Sequence, residues 1–195
     1  MKLAYSPASP YVRKCMAAAI ARGIQGQIEL WTVPTVDPSL VPVNPLSKVP
    51  SLVTPEGMAL YDSPVICEYL DSIGPATALF PPPGPARWNA LRQQALGDGI
   101  MDATQPRRRE VALPQDEGRT TYIAQQQLKV TRALDALEGE TLGMLATIGE
   151  ITIACALGYL DFRYAHEPWR PSHPKLEAWY AKVVVLPPMA RTMPA

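Results

Sequence analysis

Cysteine is scarce in this sequence: Cys15, Cys67 and Cys155 are the only three among 195 residues, and no two stand in a CxxC spacing. That argues against a disulfide framework, a thiolate metal site and a dithiol redox motif. Histidine is scarcer still, with only His166 and His173, so a zinc or iron centre would lack clustered ligands and no metal is expected. Charge of one sign is not in excess, since 18 basic residues balance 18 acidic ones. Nucleic-acid binding needs a basic face, so no nucleic-acid partner is expected. The one basic cluster, Arg107-Arg108-Arg109, reads as a solvated helix face, with a local anion contact as the alternative. No hydrophobic run approaches the roughly twenty residues that span a bilayer, so no membrane association is expected. Acidic residues are missing before Glu29, and Cys15 to Ala21 is apolar, which brings a targeting leader to mind. That run is seven residues long, ends at Arg22 and has no small-residue cleavage site after it. The expected location is cytoplasmic.

Proline, by contrast, is abundant at 22 residues, and hydrophobic residues make up 47%, enough for a substantial core. The densest proline cluster, Pro75 to Pro85, can continue neither a helix nor a central strand and marks the expected domain boundary. Its apolar Leu79-Phe80 is expected to pack down. The first domain is assigned to residues 1–78 and the second to 86–195. In the first, Lys2 to Tyr5 is a strand candidate. A helix follows Pro10, with Val12, Met16, Ala19 and Ile20 at helical spacing and Gly23 as its stop. Ile28 to Val33 alternates and is β-branched and aromatic, which predicts a strand. After a loop from Pro34 to Pro45, Ser51 to Thr54 and Met58 to Tyr61 flank the turn Pro55-Glu56-Gly57 as an antiparallel hairpin. Ser63-Pro64 then starts a helix, serine as cap and proline first, with Val65, Ile66, Tyr69, Leu70 and Ile73 as its buried stripe.

The second domain reads as all helical. Ala86 to about Arg109 and Glu117 to about Glu138 are long amphipathic segments. Thr147-Ile148-Gly149-Glu150 fits a capping box ahead of Ile151 to Leu160, which is apolar nearly all round and therefore central. A last helix starts at Ser172 to Pro174 and carries Leu176, Trp179, Tyr180 and Val183.

Three stretches could carry chemistry. Ser9-Pro10-Tyr11-Val12-Arg13-Lys14 puts a serine at a strand-to-helix junction, beside unpaired N–H groups and the positive end of a helix dipole, a setting that favours an anion or thiolate. A plain helix cap explains Ser9 equally, and Ser6-Pro7 repeats the dipeptide three residues earlier. In Asn44-Pro45-Leu46-Ser47-Lys48-Val49-Pro50, a cis Pro50 would turn the Val49 backbone outward to pair with an extended peptide; a trans proline at a strand start is the alternative. Asp62-Ser63-Pro64 is either a cap or a head-group site, Ser63 donating to a carboxylate and Asp62 accepting from an ammonium.

Taken together and in this order, the three stretches resemble the glutathione transferase family, and Thr147 to Ala154 is similar to that family's capping box and hydrophobic staple. The resemblance covers essentially the whole chain. It implies a thioredoxin-like N-terminal domain followed by a helical-bundle C-terminal domain, glutathione as cosubstrate, a small electrophile as second substrate and a detoxifying cytosolic homodimer. Carried onto this sequence, Ser9 contacts the glutathione sulfur, with Ser6 as the other candidate. Val49 pairs with the cysteinyl portion across cis-Pro50, Asp62 and Ser63 hold the γ-glutamyl head, and Lys48 meets the glycine carboxylate. The electrophile then sits between the domains, near Tyr11, Met101 and Arg109. Two departures stand out: Ser47 occupies a position that is often glycine in the family, and Glu150 replaces a common aspartate. No cysteine stands at 6 or 9, and Cys15 falls inside the predicted helix, which disfavours mixed-disulfide chemistry. The competing reading is a non-catalytic glutathione-binding or interaction module of the same fold.

Overall fold

In the computed structural model, which describes residues 1–34 and 37–194, the chain builds a four-stranded sheet with two helices and then a helical region. Thr35 and Val36 of the predicted Pro34–Pro45 loop, and the terminal Ala195, lie outside the described residues. The sheet comprises β1 (Lys2–Tyr5), β2 (Glu29–Thr32), β3 (Ser51–Val53) and β4 (Ala59–Leu60), in the order β2-β1-β3-β4. β1 runs parallel to β2 and antiparallel to β3, and β3 and β4 form the expected hairpin. Centrally placed β1 buries Leu3 and Ala4 completely or nearly so. β2 lies at the edge and is largely exposed, Leu30 included. Its alternating apolar pattern is therefore not a record of one buried face.

Helix α1 (Pro10–Ala21) begins where Ser9 caps it: the Ser9 Oγ accepts from the Val12 N–H at 3.4 Å, and Pro10 supplies the first turn, where a missing N–H costs nothing. Helix α2 (Ser63–Ile73) starts one residue earlier than Ser63-Pro64 suggested. Asp62 occupies the cap position without a side-chain cap bond, and Ser63 is already helical. Its buried face is Ser63, Ile66, Cys67, Leu70 and Asp71, whereas Val65 and Ile73 are exposed. The predicted stripe was thus shifted, because Cys67 and Asp71 belong to the inner face.

Asp71 explains how the proline-rich segment packs down. Its two buried carboxylate oxygens accept the N–H groups of Leu79 (2.7 Å) and Phe80 (3.1 Å), and Arg22 from the end of α1 stands 3.0 Å away. Leu79 and Phe80 are buried, and the Leu79 carbonyl in turn accepts the Ile148 N–H at 3.0 Å. One carboxylate therefore satisfies backbone groups that a proline cluster cannot pair by itself.

The helical region comprises α3 (Pro85–Val111), α4 (Glu117–Glu138), α5 (Ile148–Arg163), α6 (Pro174–Val183) and a short α7 (Pro187–Ala190). The capping box is complete: Thr147 Oγ accepts from the Glu150 N–H, while Glu150 accepts from Gly143, Ala146 and Thr147. Every residue from Ile148 to Leu160 is buried, so α5 is the centre of this region, as its composition predicts. It lies against α3 closely enough that glycine is required twice. A Cβ on Gly97 would come within 2.9 Å of the Thr152 carbonyl carbon, and one on Gly149 within 2.6 Å of the Ala90 carbonyl oxygen. α3 also contains Pro106, whose missing N–H leaves the Asp102 carbonyl without its helical donor. The short α7 had no sequence signal beyond prolines. It packs on α1, where buried Arg13 donates to the Met189 carbonyl at 3.3 Å.

Candidate functional site

The N-terminal end of α1, the loop before β3 and the inner faces of α3 and α5 enclose two adjoining recesses. The larger, about 350 Å3, is bounded by Ser9 with its neighbours Ala8 and Pro10 on one wall; Gln105, Arg108 and Arg109 of α3 and Tyr159 and Arg163 of α5 form the other. The smaller, about 290 Å3, lies between Tyr11, Lys48 and Val49 and the α3 residues Asp102, Gln105 and Arg109. Gln105 and Arg109 line both, so the two recesses are parts of one cleft between the sheet domain and the helices.

Ser9 is 3% exposed. Its oxygen accepts from Val12, yet its hydroxyl hydrogen has no acceptor among the described residues. The cap and the donor roles are therefore compatible in one side chain: a lone pair serves the helix, the hydrogen is free to rotate, and the residue lines the cleft. Ser6 is elsewhere. It lines a separate recess of about 100 Å3 with Tyr5, Arg13 and Leu30.

Val49-Pro50 is a cis peptide bond, as is Tyr61-Asp62. The loop that presents Lys48 and Val49 is pinned by buried Asn44, whose amide donates to the Lys48 carbonyl and the Ser51 hydroxyl, both at 3.0 Å, and whose oxygen accepts from Leu46. Ser51 reinforces it by donating to the same Lys48 carbonyl at 2.8 Å. Ser47 holds φ at +52°, the left-handed region that favours glycine, and its hydroxyl donates to the Asp37 carbonyl. A position that suits glycine is thus occupied by a residue with its own tether. Asp62 is exposed and Ser63 buried at the start of α2; neither lines the two recesses.

The far wall is electrostatically structured. Tyr11 is half-buried and its hydroxyl donates to Asp102. Burial, this hydrogen bond and the negative charges of Asp102 and Asp98 push the phenol far above its ordinary value, so Tyr11 stays protonated. One turn further along α1, the fully buried Lys14 donates to both oxygens of Asp98 on α3, at 2.6 and 2.8 Å. Burial acts to lower the Lys14 ammonium but is outweighed by Asp98, so lysine is held above its usual value. Burial in turn raises Asp98, with the charges of Asp102 and Asp62 adding to it and Lys14 opposing. Two short contacts to one ammonium make this an ion pair at neutral pH. It joins the two walls of the cleft.

Of the residues singled out from sequence, Ser9, Tyr11, Lys48, Val49 and Arg109 converge on the cleft. Met101 does not: it is fully buried in the core, one residue out of phase with the lining face. The expectation of a solvated Arg107–Arg109 face fails for Arg107. That side chain is 6% exposed, pairs with Glu167 at 2.6 Å and stacks 4.8 Å over Tyr164. Asp98, Asp102, Gln105 and Arg109 recur at steps of four, three and four, the spacing of one helical face, a signal in the sequence that the apolar pattern of α3 obscured. Tyr159 and Arg163, four apart near the end of α5, were hidden by the apolar run before them. All three cysteines are buried. Burial holds the Cys15 thiol well above its ordinary value, so it offers no accessible thiolate.

Comparison with known proteins matches residues 8–73 to the N-terminal domain of glutathione S-transferase and residues 120–182 to its C-terminal domain. A relative from Escherichia coli (strain K12), the uncharacterized GST-like protein YibF, is 36% identical across 100% of this chain and 98% of its own length. Among solved structures, a glutathione transferase family member from Pseudomonas fluorescens Pf-5 with bound glutathione is 42% identical with a TM-score of 0.93, covering 100% of this chain and 98% of that one. A Pseudomonas fluorescens Pf-5 family member with bound S-(propanoic acid)-glutathione is 41% identical with a TM-score of 0.89, at 100% and 99% coverage. A glutathione S-transferase from Methylobacillus flagellatus KT, with glutathione bound, is 34% identical with a TM-score of 0.86, at 100% and 99%.

Proposed function

This chain belongs to the glutathione transferase family, and from that premise we propose that it binds glutathione in the cleft and activates the thiol for attack on a small electrophile. The observation that carries the reading is the Ser9 hydroxyl, whose oxygen is engaged by the Val12 N–H and whose hydrogen is left to donate into the cleft. The separate position of Ser6 supports Ser9 as the sulfur contact. The cis Val49-Pro50 bond and the Asn44 tether support Val49 as the backbone partner of the cysteinyl portion, with Lys48 beside it for the glycine carboxylate. Asp62 and Ser63, at the start of α2 and outside the two recesses, are assigned to the γ-glutamyl head group on the family resemblance of the Asp62-Ser63-Pro64 motif. The sheet domain, residues 1–78, contributes the peptide clamp; the helical domain, residues 86–195, contributes the electrophile's wall.

A free thiol has a pKa of about 8.5, so little of it is thiolate at pH 7. A charge-assisted hydrogen bond of about 1.5–3 kcal/mol lowers that by one to two units. The positive end of α1 acts in the same direction. Ser9 stays neutral and donates. Tyr11, whose O–H is committed to Asp102, is no rival donor to the sulfur. The thiol proton passes to solvent as the thiolate forms. A sulfur electron pair then forms the C–S bond while the electrophile's leaving group departs with its bonding pair, or its conjugated π pair shifts away and takes up a proton.

Exposed Val65 of α2 and Trp88 of α3 support a homodimer joined through these helices, to be checked by sedimentation. No helix among the described residues is long and apolar enough to cross a membrane. The decisive test is the pH dependence of conjugation in the parent and in Ser9→Ala, with glutathione affinity measured alongside. The variant is expected to raise the apparent thiol pKa by one to two units and to slow turnover at pH 7 by about 10- to 100-fold. An unchanged pKa and rate remove Ser9 from the mechanism. Glutathione binding without turnover on any electrophile leaves the binding-module reading instead.

A further inference from the structure

The larger recess has an unusual charge. Arg108, Arg109 and Arg163 line it, and no carboxylate does. Neighbouring arginines are neutralised: Arg107 pairs with Glu167 at 2.6 Å and Arg170 with Asp161 at 2.5 Å. Arg108, Arg109 and Arg163 have no carboxylate partner among the described residues. The Arg163 guanidinium lies 3.9 Å over the Phe162 ring, and its buried Nε has no hydrogen-bond acceptor. Acidic groups of the cleft are confined to the other recess, where Asp102 is taken up by Tyr11. Three arginines without a carboxylate partner among the described residues thus line the same recess as Ser9.

Resting on the reading of the cleft given above, we infer that the second substrate is an anionic electrophile: a small carbon compound bearing a carboxylate next to its reactive centre. Arginine forks match carboxylate geometry with two parallel donors, and they remain charged at every working pH. They draw the anion toward the sulfur and offset the repulsion between its charge and the thiolate. With a haloacetate as probe, the thiolate sulfur attacks the methylene carbon, the C–S bond forms and the C–Br bond breaks. Bromide leaves with the bonding pair, and the carboxylate is unchanged against the arginines.

The test compares two product analogues of nearly the same shape, one with a carboxylate and one with a neutral amide, S-(carboxymethyl)glutathione and S-(carbamoylmethyl)glutathione, by calorimetry on the full chain. Turnover of bromoacetate against bromoacetamide is measured in parallel, each rate divided by its uncatalysed rate. The carboxylate analogue is expected to bind about tenfold more tightly at low salt, and the margin narrows as ionic strength rises. Arg108→Gln and Arg163→Gln each reduce that margin about threefold, and Arg108→Lys, which keeps the charge but loses the fork, retains only part of it. Arg108 is exposed, so its replacement keeps the comparison open even if the Arg163 variant fails to fold. Equal binding of the two analogues by a protein that still binds glutathione overturns this inference and leaves the transferase reading intact. So does an equal loss of both analogues in the variants, which would assign the arginines to glutathione's own carboxylates. Failure to bind glutathione or either analogue overturns both.

Discussion

Replacing Lys14 by methionine removes the cation from a pair whose lysine side chain is 0% and whose aspartate side chain is 16% exposed. Breaking a buried pair by deleting one partner costs about 3–5 kcal/mol, because the remaining charge is left uncompensated. The partial exposure of Asp98 sets the expectation at the lower end, about 3 kcal/mol at pH 7. For a chain of this size that lowers Tm by about 6–12 °C. Urea unfolding followed by circular dichroism gives the free energy, and a thermal melt gives the shift. The sign of the pH dependence follows from Asp98. Without Lys14 its folded pKa lies further above the unfolded value of about 3.9, so the penalty is complete above the folded pKa. It fades as pH falls toward the unfolded one. The deficit should therefore shrink between pH 7 and pH 5. Adding Asp98→Leu removes the stranded charge, and the double variant should return to within about 1 kcal/mol of the parent. A single variant that loses under about 1 kcal/mol, or a deficit that ignores pH, refutes the argument that this pair is a buried tie between α1 and α3.

Two glycines on one helix should respond with opposite sign. Gly97→Ala drives a Cβ to 2.9 Å from Thr152 backbone and should cost about 1–2 kcal/mol net of the helix-propensity gain, whereas Gly99→Ala, with nothing within 4 Å, should gain up to about 1 kcal/mol; urea midpoints decide. The Cys155 thiol is pushed up to about 11 by burial. Its folded state thus favours the protonated form, and the stabilisation is present below pH 9 and lost as pH rises from 9 to 11, by roughly 3 kcal/mol. Cys155→Ala should flatten the alkaline limb of stability against pH, and an unaltered slope would discount this thiol.

Local punctuation made much of the fold legible. Pro10 after Ser9, the Pro55-Glu56-Gly57 turn and the Thr147–Glu150 box each act within four residues, and each formed as read. What failed was phase. Val65 and Ile73 were placed inside because they are apolar, while Asp71 on the true inner face was passed over because it is charged. Its burial makes sense only once Arg22, Leu79 and Phe80 arrive, and nothing local announces them. Lys14 with Asp98 and Tyr11 with Asp102 are pairs 84 and 91 residues apart, beyond any periodicity argument. Met101 and Arg107 show the same limit: adjacent positions on α3 divide between core, ion pair and cleft according to a helical phase that the tertiary packing fixes. On the sheet side the contiguous motifs around Ser9 and Val49 line the cleft while Asp62-Ser63 does not; on the helical side, where single residues contribute one per turn, the lining was hidden.

Pro106 has a consequence for how the molecule can loosen. Where its ring interrupts the backbone ladder, α3 is divided into a long stretch gripped by α5 and a final stretch beyond the proline. That final stretch carries Arg108 and Arg109 and is anchored chiefly through Arg107 to Glu167 and Glu110 to Arg119. Pro106 removes one backbone hydrogen bond from this end of α3, and no glycine contact like that of Gly97 with Thr152 holds it, so it is expected to open more readily than the stretch that crosses Thr152. The difference is expected to show as faster amide exchange at Arg108 and Arg109 than at the α3 residues that face Thr152.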